Sequence, residues 1–257
     1  MATVPPMKIA VWQGPSPAGD PDRAFGDIAL ALAAAGAAGA AMLVAPEAYL
    51  PGYNHDKIPE LAQTAAGDWH HRLADLCRQS KCGVTIGYAE RDREQVFNAA
   101  VAFDAMGRQI AQYRKIQLYG AREQRIYAPG DAYVTFDLAG TRTAMLICYD
   151  IEFAPHVAAL CERGVKLILV PTANMHPFTH VVAHTVPTMA ANYGLSIAYA
   201  NYCGVEGDLS YVGGSLVAGP HGEVLAQAGD GPCLLIVDLP DVDPTRIATQ
   251  LQDFRKV

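Results

Sequence analysis

Thr143-Ala144-Met145-Leu146-Ile147-Cys148-Tyr149-Asp150-Ile151-Glu152-Phe153 climbs through apolar residues to one thiol, turns polar at once, and leads into a helix-like segment from Pro155 to Arg163. A short apolar run bounded by turn signals has the pattern of a buried strand. Cys148 therefore falls where a strand ends and a helix begins. Unpaired backbone N–H groups and the positive end of a helix dipole gather at such a junction, and both favour a thiolate. Free cysteine is also among the most buried residue types, so a plain core cysteine fits the same position. A nucleophile needs a base and an oxyanion partner from elsewhere in the chain.

The 257 residues, 51% hydrophobic and 18% charged, are those of a globular chain able to bury a sizeable core. A formal charge of −7 argues against general binding to nucleic acid or to an anionic membrane. Met1 to Pro6 reads as a short tail without a basic-then-apolar leader, so secretion is not expected. The longest apolar tract, Ile28 to Val44, follows Asp27 and is broken by Gly36 and Gly39. It reads as a buried helix followed by a strand, not as a membrane span. The 6 cysteines are scattered, with no close Cys-x-x-Cys pair. Cys77 and Cys82 lie near His70 and His71, but the spacing matches no zinc pattern, and free thiols suit a reducing cytoplasm.

Outward from the central stretch, strand and helix patterns alternate. Lys8 to Gln13 reads as the first strand, and Asp20-Pro21 caps a helix to about Ala37. Ala41 to Ala45 is the next strand and ends in a loop rich in Pro, Gly and Tyr, from Pro46 to Tyr53. Asp68 caps a second helix, to about Ser80, and Val84 to Tyr88 is a strand. Phe97 to Phe103 and Arg108 to Tyr113 form a hairpin that delivers Arg114-Lys115, and Gly120 to Asp131 is a loop. A second hairpin, Tyr133 to Leu138 with Thr141 to Ile147, leads into Cys148. Later come a strand at Lys166 to Val170, a helix from about Thr179 to Tyr193, and a strand at Ser196 to Ala200. A hairpin from Gly213 to Gln227, a closing strand at Cys233 to Leu239, and a helix starting at Asp243-Pro244 complete the chain. No linker or composition break divides it, so residues 1–257 are expected to form one domain. Direct hairpins exclude a simple parallel doubly wound sheet; two mixed sheets packed face to face, with helices outside, fit better.

An unperturbed thiol is only a few per cent thiolate at neutral pH, so a nucleophilic cysteine wants a base or a cation beside it. Three charged residues stand just past strands: Glu47, Lys115 and Glu123. Taken one at a time, each would ordinarily be solvated surface. Glu47, however, follows a proline after an apolar strand, and Lys115 runs into the apolar and glycine-bearing Ile116-Gln117-Leu118-Tyr119-Gly120.

Pro46-Glu47 with Pro51-Gly52-Tyr53, Tyr113-Arg114-Lys115-Ile116, and Leu146 to Phe153 together resemble the nitrilase (carbon–nitrogen hydrolase) superfamily. Val170-Pro171-Thr172-Ala173-Asn174, Ala190-Ala191-Asn192-Tyr193, Ala200-Asn201 and Gly213-Gly214-Ser215 follow in the family's order, so the resemblance runs from Lys8 to Leu239. It implies an α/β fold, a four-layer αββα sandwich with two mixed sheets, and a homodimer or higher homo-oligomer. Carried onto this chain, it makes Glu47 the general base, Lys115 the triad lysine and Cys148 the nucleophile. Glu123 takes the place of a second glutamate. No metal and no organic cofactor is implied; the partners are a small amide and water. Attack by Cys148 with Glu47 as base would give an oxyanion held by Lys115 and the backbone N–H of Tyr149, then a thioester.

The residues after the thiol bear on substrate. Carbamoylases of the superfamily place an arginine there for a carboxylate, and typical nitrilases carry Trp-Glu; this chain has Tyr149-Asp150-Ile151-Glu152. An acidic pair disfavours an anionic substrate, so a primary amide with a neutral or amine-bearing acyl portion is expected. The same acids also suit a helix start for structural reasons. Tyr53, Tyr119, Tyr149, Asp150 and Asn174 are the substrate-binding candidates. His176, His180 and His184 share a spacing of four but lack an evident fourth metal ligand, and read as a packed or solvated face. A nitrilase, an N-carbamoyl hydrolase, an acyl transferase and a non-catalytic member of the fold are the alternatives.

Overall fold

The computed structural model describes residues 6–255; residues 1–5 of the expected tail lie outside them. The chain opens with β1 (Lys8–Gln13), α1 (Pro21–Ala37) and β2 (Met42–Val44). Next come α2 (Ile58–Leu61), α3 (Asp68–Ser80), β3 (Gly83–Asp92), β4 (Gln95–Phe103), β5 (Gln109–Arg114) and α4 (Gly120–Ile126). The second half has β6 (Thr135–Leu138), β7 (Thr141–Met145), α5 (Ala154–Glu162), β8 (Leu167–Pro171), α6 (Val186–Tyr193) and β9 (Ser196–Ala200). It closes with β10 (Val205–Glu206), β11 (Leu209–Ser210), β12 (Leu216–Ala218), β13 (Val224–Gln227), β14 (Cys233–Asp238) and α7 (Gln250–Asp253).

Two six-stranded sheets result, in the orders β14-β1-β2-β3-β4-β5 and β13-β12-β9-β8-β7-β6. From β14, the first sheet pairs antiparallel, parallel, parallel, antiparallel, antiparallel. Read from β6, the second sheet repeats that series. Alternation along the strands separates two apolar layers. Ile9 and Val11 of β1 and Met42 and Val44 of β2 join Ala144, Leu167 and Ile197 of the opposite sheet in one core. The intervening Ala10 and Leu43 turn the other way, onto Phe25, Ile28, Leu32, Trp69 and Leu73 of α1 and α3. Val157 and Leu160 of α5 and Val186 and Ala190 of α6 cover the second sheet. The fold is therefore the αββα sandwich with two mixed sheets.

Local chemistry explains the helices against the first sheet. Asp20 accepts the backbone N–H of Arg23 at 3.1 Å, and Pro21 occupies the first turn of α1, as capping rules require. Gly36 is where α1 meets the end of α3: a Cβ there would lie 1.9 Å from the carbonyl oxygen of Ser80. Asp68 is the first residue of α3 and makes no capping bond, the cap position being Gly67.

Other boundaries also differ from the sequence reading. β3 and β4 form a hairpin of their own, turning at Arg93 in the left-handed region (φ 54°). The expected loop from Gly120 contains α4, which is too short to display a helical period. The segment after Thr179 begins as a π-turn, Val181–Thr185, before α6. Asp243 opens no helix; its carboxylate accepts the Thr245 N–H at 2.9 Å in a turn. Cys148–Glu152 forms a 3₁₀ turn ahead of α5, so the thiol heads that turn and not the α-helix itself. Among the described residues, no helix is long and apolar enough to cross a membrane.

Candidate active site

β2, β3 and β5 run in one direction, and so do β7, β8 and β9. The Glu47 N–H donates to the Thr172 carbonyl at 3.3 Å, so the ends of β2 and β8 meet across the sandwich. The loop after β2 is tightly held there. Tyr202 Oη donates to the Glu47 carbonyl at 2.7 Å. Gly87 of β3 lies beneath, where a Cβ would come 2.2 Å from the Ala48 nitrogen, so a side chain cannot fit without moving the Glu47 loop.

Lys115 follows β5 directly, and its backbone N–H donates to the Asn98 carbonyl at 2.8 Å. Glu47, Lys115 and Glu123 are 0%, 1% and 1% exposed, so these charges must satisfy one another. Lys115 Nζ donates to Glu47 Oε1 at 2.6 Å and to Glu123 Oε1 at 2.8 Å. Asn98 Nδ2 donates to the same Glu47 oxygen at 2.6 Å. Glu123 also accepts Tyr53 Oη at 2.6 Å and the Tyr119 N–H at 2.9 Å. Glu47 Oε2, in contrast, is buried with no hydrogen-bond partner among the described residues. One oxygen of this carboxylate is anchored and the other is left open.

Cys148 is half-buried and sits in the left-handed region at φ 47°, a costly conformation for a residue with a Cβ. The Thr172 side chain and the Ala173 backbone act to favour its ionised form. Burial, and next the charge of Glu47, push the thiol well above the usual cysteine range against the opposing pull of Lys115. Burial and Glu47 thus oppose the thiolate that the strand-to-helix position by itself would favour. Burial raises Glu47 to about 7, with Lys115 acting against the rise. Burial works to lower Lys115, but Glu123 and Glu47 outweigh it and hold the ammonium well above its ordinary value. The environment thus disfavours the thiolate, favours the ammonium, and raises the carboxylate toward neutrality.

A cavity of about 200 Å³ opens on the sulfur. Tyr53, Tyr119, Tyr149 and Asn174 line it, as do Glu152, Ala173, Met175, Phe178 and His180. Asp150 does not, and its assignment to substrate binding is corrected. It is fully buried, and its carboxylate accepts Tyr113 Oη at 2.8 Å, the Gln117 N–H at 2.7 Å and the Ile147 N–H at 3.1 Å. Those bonds fasten the 3₁₀ turn to β5, and burial keeps the carboxylate off the cavity surface. The acidic pair thus divides, with Asp150 inside the protein and Glu152 on the cavity. Of the three spaced histidines, only His180 is on the cavity wall, and no three His, Cys, Asp or Glu side chains converge as a metal site among the described residues.

Sequence reasoning missed Asn98, Thr172 and Tyr202, left Phe178 and His180 without a place on the cavity, and weighed Glu152 only as half of an acidic pair bearing on substrate charge. Asn98 carried a signal: it is the one amide in the apolar run Val96 to Phe103 of a buried strand. The others carried none, because their roles depend on which loops meet.

The carbon–nitrogen hydrolase family profile matches residues 8–247. The chain is 36% identical over 238 residues to a hydrolase encoded in the pqqF 5′ region of Pseudomonas protegens, covering 90% of this chain and 81% of that one. It is 31% identical over 217 residues to an (R)-stereoselective amidase of a Pseudomonas species, covering 84% and 78%. Among solved structures, a mutant amidase of Nesterenkonia sp. AN1 in complex with butyramide superposes with a TM-score of 0.89 at 35% identity, covering 98% and 95%. Another mutant of that amidase shows the result of Michael addition of acrylamide at its active site cysteine.

Proposed function

The chain belongs to the carbon–nitrogen hydrolase family, and from that premise we propose that it is a cysteine-dependent amidohydrolase that converts small primary amides to carboxylic acids and ammonia. The observation that carries the reading is the split state of Glu47: Oε1 anchored by Lys115 and Asn98, Oε2 buried and unpartnered in the electrostatic reach of Cys148. The amidases among its relatives supply the substrate class.

In this mechanism Glu47 Oε2 accepts the thiol proton as the Cys148 sulfur bonds to the amide carbon. The carbonyl π pair moves to oxygen, and the Lys115 ammonium and the Tyr149 N–H stabilise the oxyanion. Glu47 passes its proton to the amide nitrogen, the C–N bond breaks, and ammonia leaves a thioester. Water then attacks the thioester carbon with Glu47 again as base. The second tetrahedral species expels the sulfur, which recovers the proton. Glu123 holds the far side of Lys115 and, with Tyr53, Tyr119 and Asn174, positions the amide. No metal enters these steps. A reducing, cytoplasmic setting accords with six free thiols, and a homodimer accords with the family.

Ammonia release from butyramide and related primary amides tests the reading. Wild-type protein should turn them over and form an acyl adduct on the Cys148 peptide. Cys148→Ala should release no ammonia, and Glu47→Gln should lose roughly 10²–10⁴-fold in kcat while keeping its circular dichroism. Near-normal turnover by either folded variant would remove the mechanism.

A further inference from the structure

The cavity on Cys148 has walls of two kinds. Tyr119 packs edge-on against Tyr149 at 5.3 Å and against Phe178 at 5.9 Å between ring centroids, so an aromatic surface covers one side. Glu152 stands on the same cavity, at the far end of the 3₁₀ turn that Cys148 begins. Four residues of such a turn advance roughly 8 Å along its axis, so the backbone of Glu152 is set apart from that of the nucleophile while both residues line one cavity.

Among the described residues, Glu152 makes neither a hydrogen bond nor an ion pair, and no Lys or Arg lines the cavity. The cavity's other ionisable groups are Cys148, His180, Tyr53, Tyr119 and Tyr149. Of the charged side chains, His180 and the buried Lys115, itself paired with Glu47 and Glu123, act on Glu152. Lys115 is already paired with two carboxylates, so it offsets little of the charge on Glu152. The site as a whole is negative above neutrality. An unpaired carboxylate beside aromatic faces is the chemistry that recognises an ammonium group, by charge-assisted hydrogen bonding and cation–π attraction together.

We propose that Glu152 is a specificity residue that binds a protonated amine on the acyl portion, so that amine-bearing primary amides are the preferred substrates and acyl chains ending in carboxylate are rejected. This rests on the amidase reading and narrows it. Burial raises the Glu152 carboxyl from its ordinary value, with His180 and Lys115 acting the other way, as expected of a half-buried acid awaiting a counter-ion.

The test compares kcat/KM for pairs of equal shape that differ in one ammonium-for-methyl exchange. These are 3-aminopropanamide against butyramide and 4-aminobutanamide against pentanamide, with succinamate as the anionic probe. Wild-type protein should favour the cationic member of at least one pair by roughly tenfold or more and should be slowest on succinamate. Glu152→Gln should reduce that cationic-to-neutral ratio about tenfold or more, and Glu152→Lys should reverse the order between cation and anion. A wild-type preference for the neutral members, or a ratio unmoved by Glu152→Gln, overturns the proposal. The wild-type ratios decide even if a variant fails to fold. Failure to hydrolyse any of the five amides would instead overturn the amidase reading itself.

Discussion

Glu47 is a carboxylate held near neutrality by opposing forces. Burial raises it to about 7, while the adjacent Lys115 ammonium and the Asn98 amide favour its ionised form. If it is the base, kcat/KM for butyramide should rise as pH rises through about 7 and then level, because only the ionised form can take the thiol proton. The same shift affects stability with a definite sign. Between about 4.5, the ordinary value, and about 7, the folded chain holds a proton that the unfolded chain has released. Stability should therefore fall as pH rises through that window, by on the order of 3 kcal/mol in total. Glu47→Gln should flatten the dependence of Tm on pH there; an unchanged slope would show that the group titrates at its ordinary value.

At the level of elements, the 3₁₀ turn Cys148–Glu152 has two functions, divided between its two acids. Asp150 clamps the turn to Tyr113 of β5, to Gln117 and to Ile147, whereas Glu152 faces the cavity. Asp150→Ala would leave buried donors unpaired, each costing about 1–3 kcal/mol, and would free Cys148 from its left-handed backbone conformation. That variant should lose several degrees of Tm and most of its turnover without altering the ratio between cationic and neutral amides. Thermal melts and the paired-substrate assay distinguish the two acids; a change in selectivity in Asp150→Ala would return it to the binding site. Two acids separated by one residue in the sequence carried no mark of this division, since successive positions of a 3₁₀ turn point about 120° apart.

On the scale of the whole molecule, β14 from the C-terminal part closes the first sheet against β1, and the inner faces of both sheets share one apolar core. We therefore expect one cooperative unit. Unfolding followed by fluorescence, which reports Trp12 and Trp69 at the first sheet, should coincide with circular dichroism, which reports both sheets. Light scattering should give twice the 27.4 kDa chain mass; separated transitions or a monomeric mass would each remove the corresponding part of the reading. Period-2 and period-3.6 patterns and Asp20-Pro21 made two mixed sheets with helices outside readable from the chain alone, because strand burial and capping are local properties. Glu47, Lys115, Glu123 and Cys148, in contrast, were grouped through the resemblance of the motifs around them to the carbon–nitrogen hydrolases. The free oxygen of Glu47, the Asn98 anchor, the internal clamp of Asp150 and the exposure of Glu152 to the cavity were decided only when strand ends from distant segments met. Those features depend on which donors approach which oxygen across the two sheets, and linear order does not encode that approach.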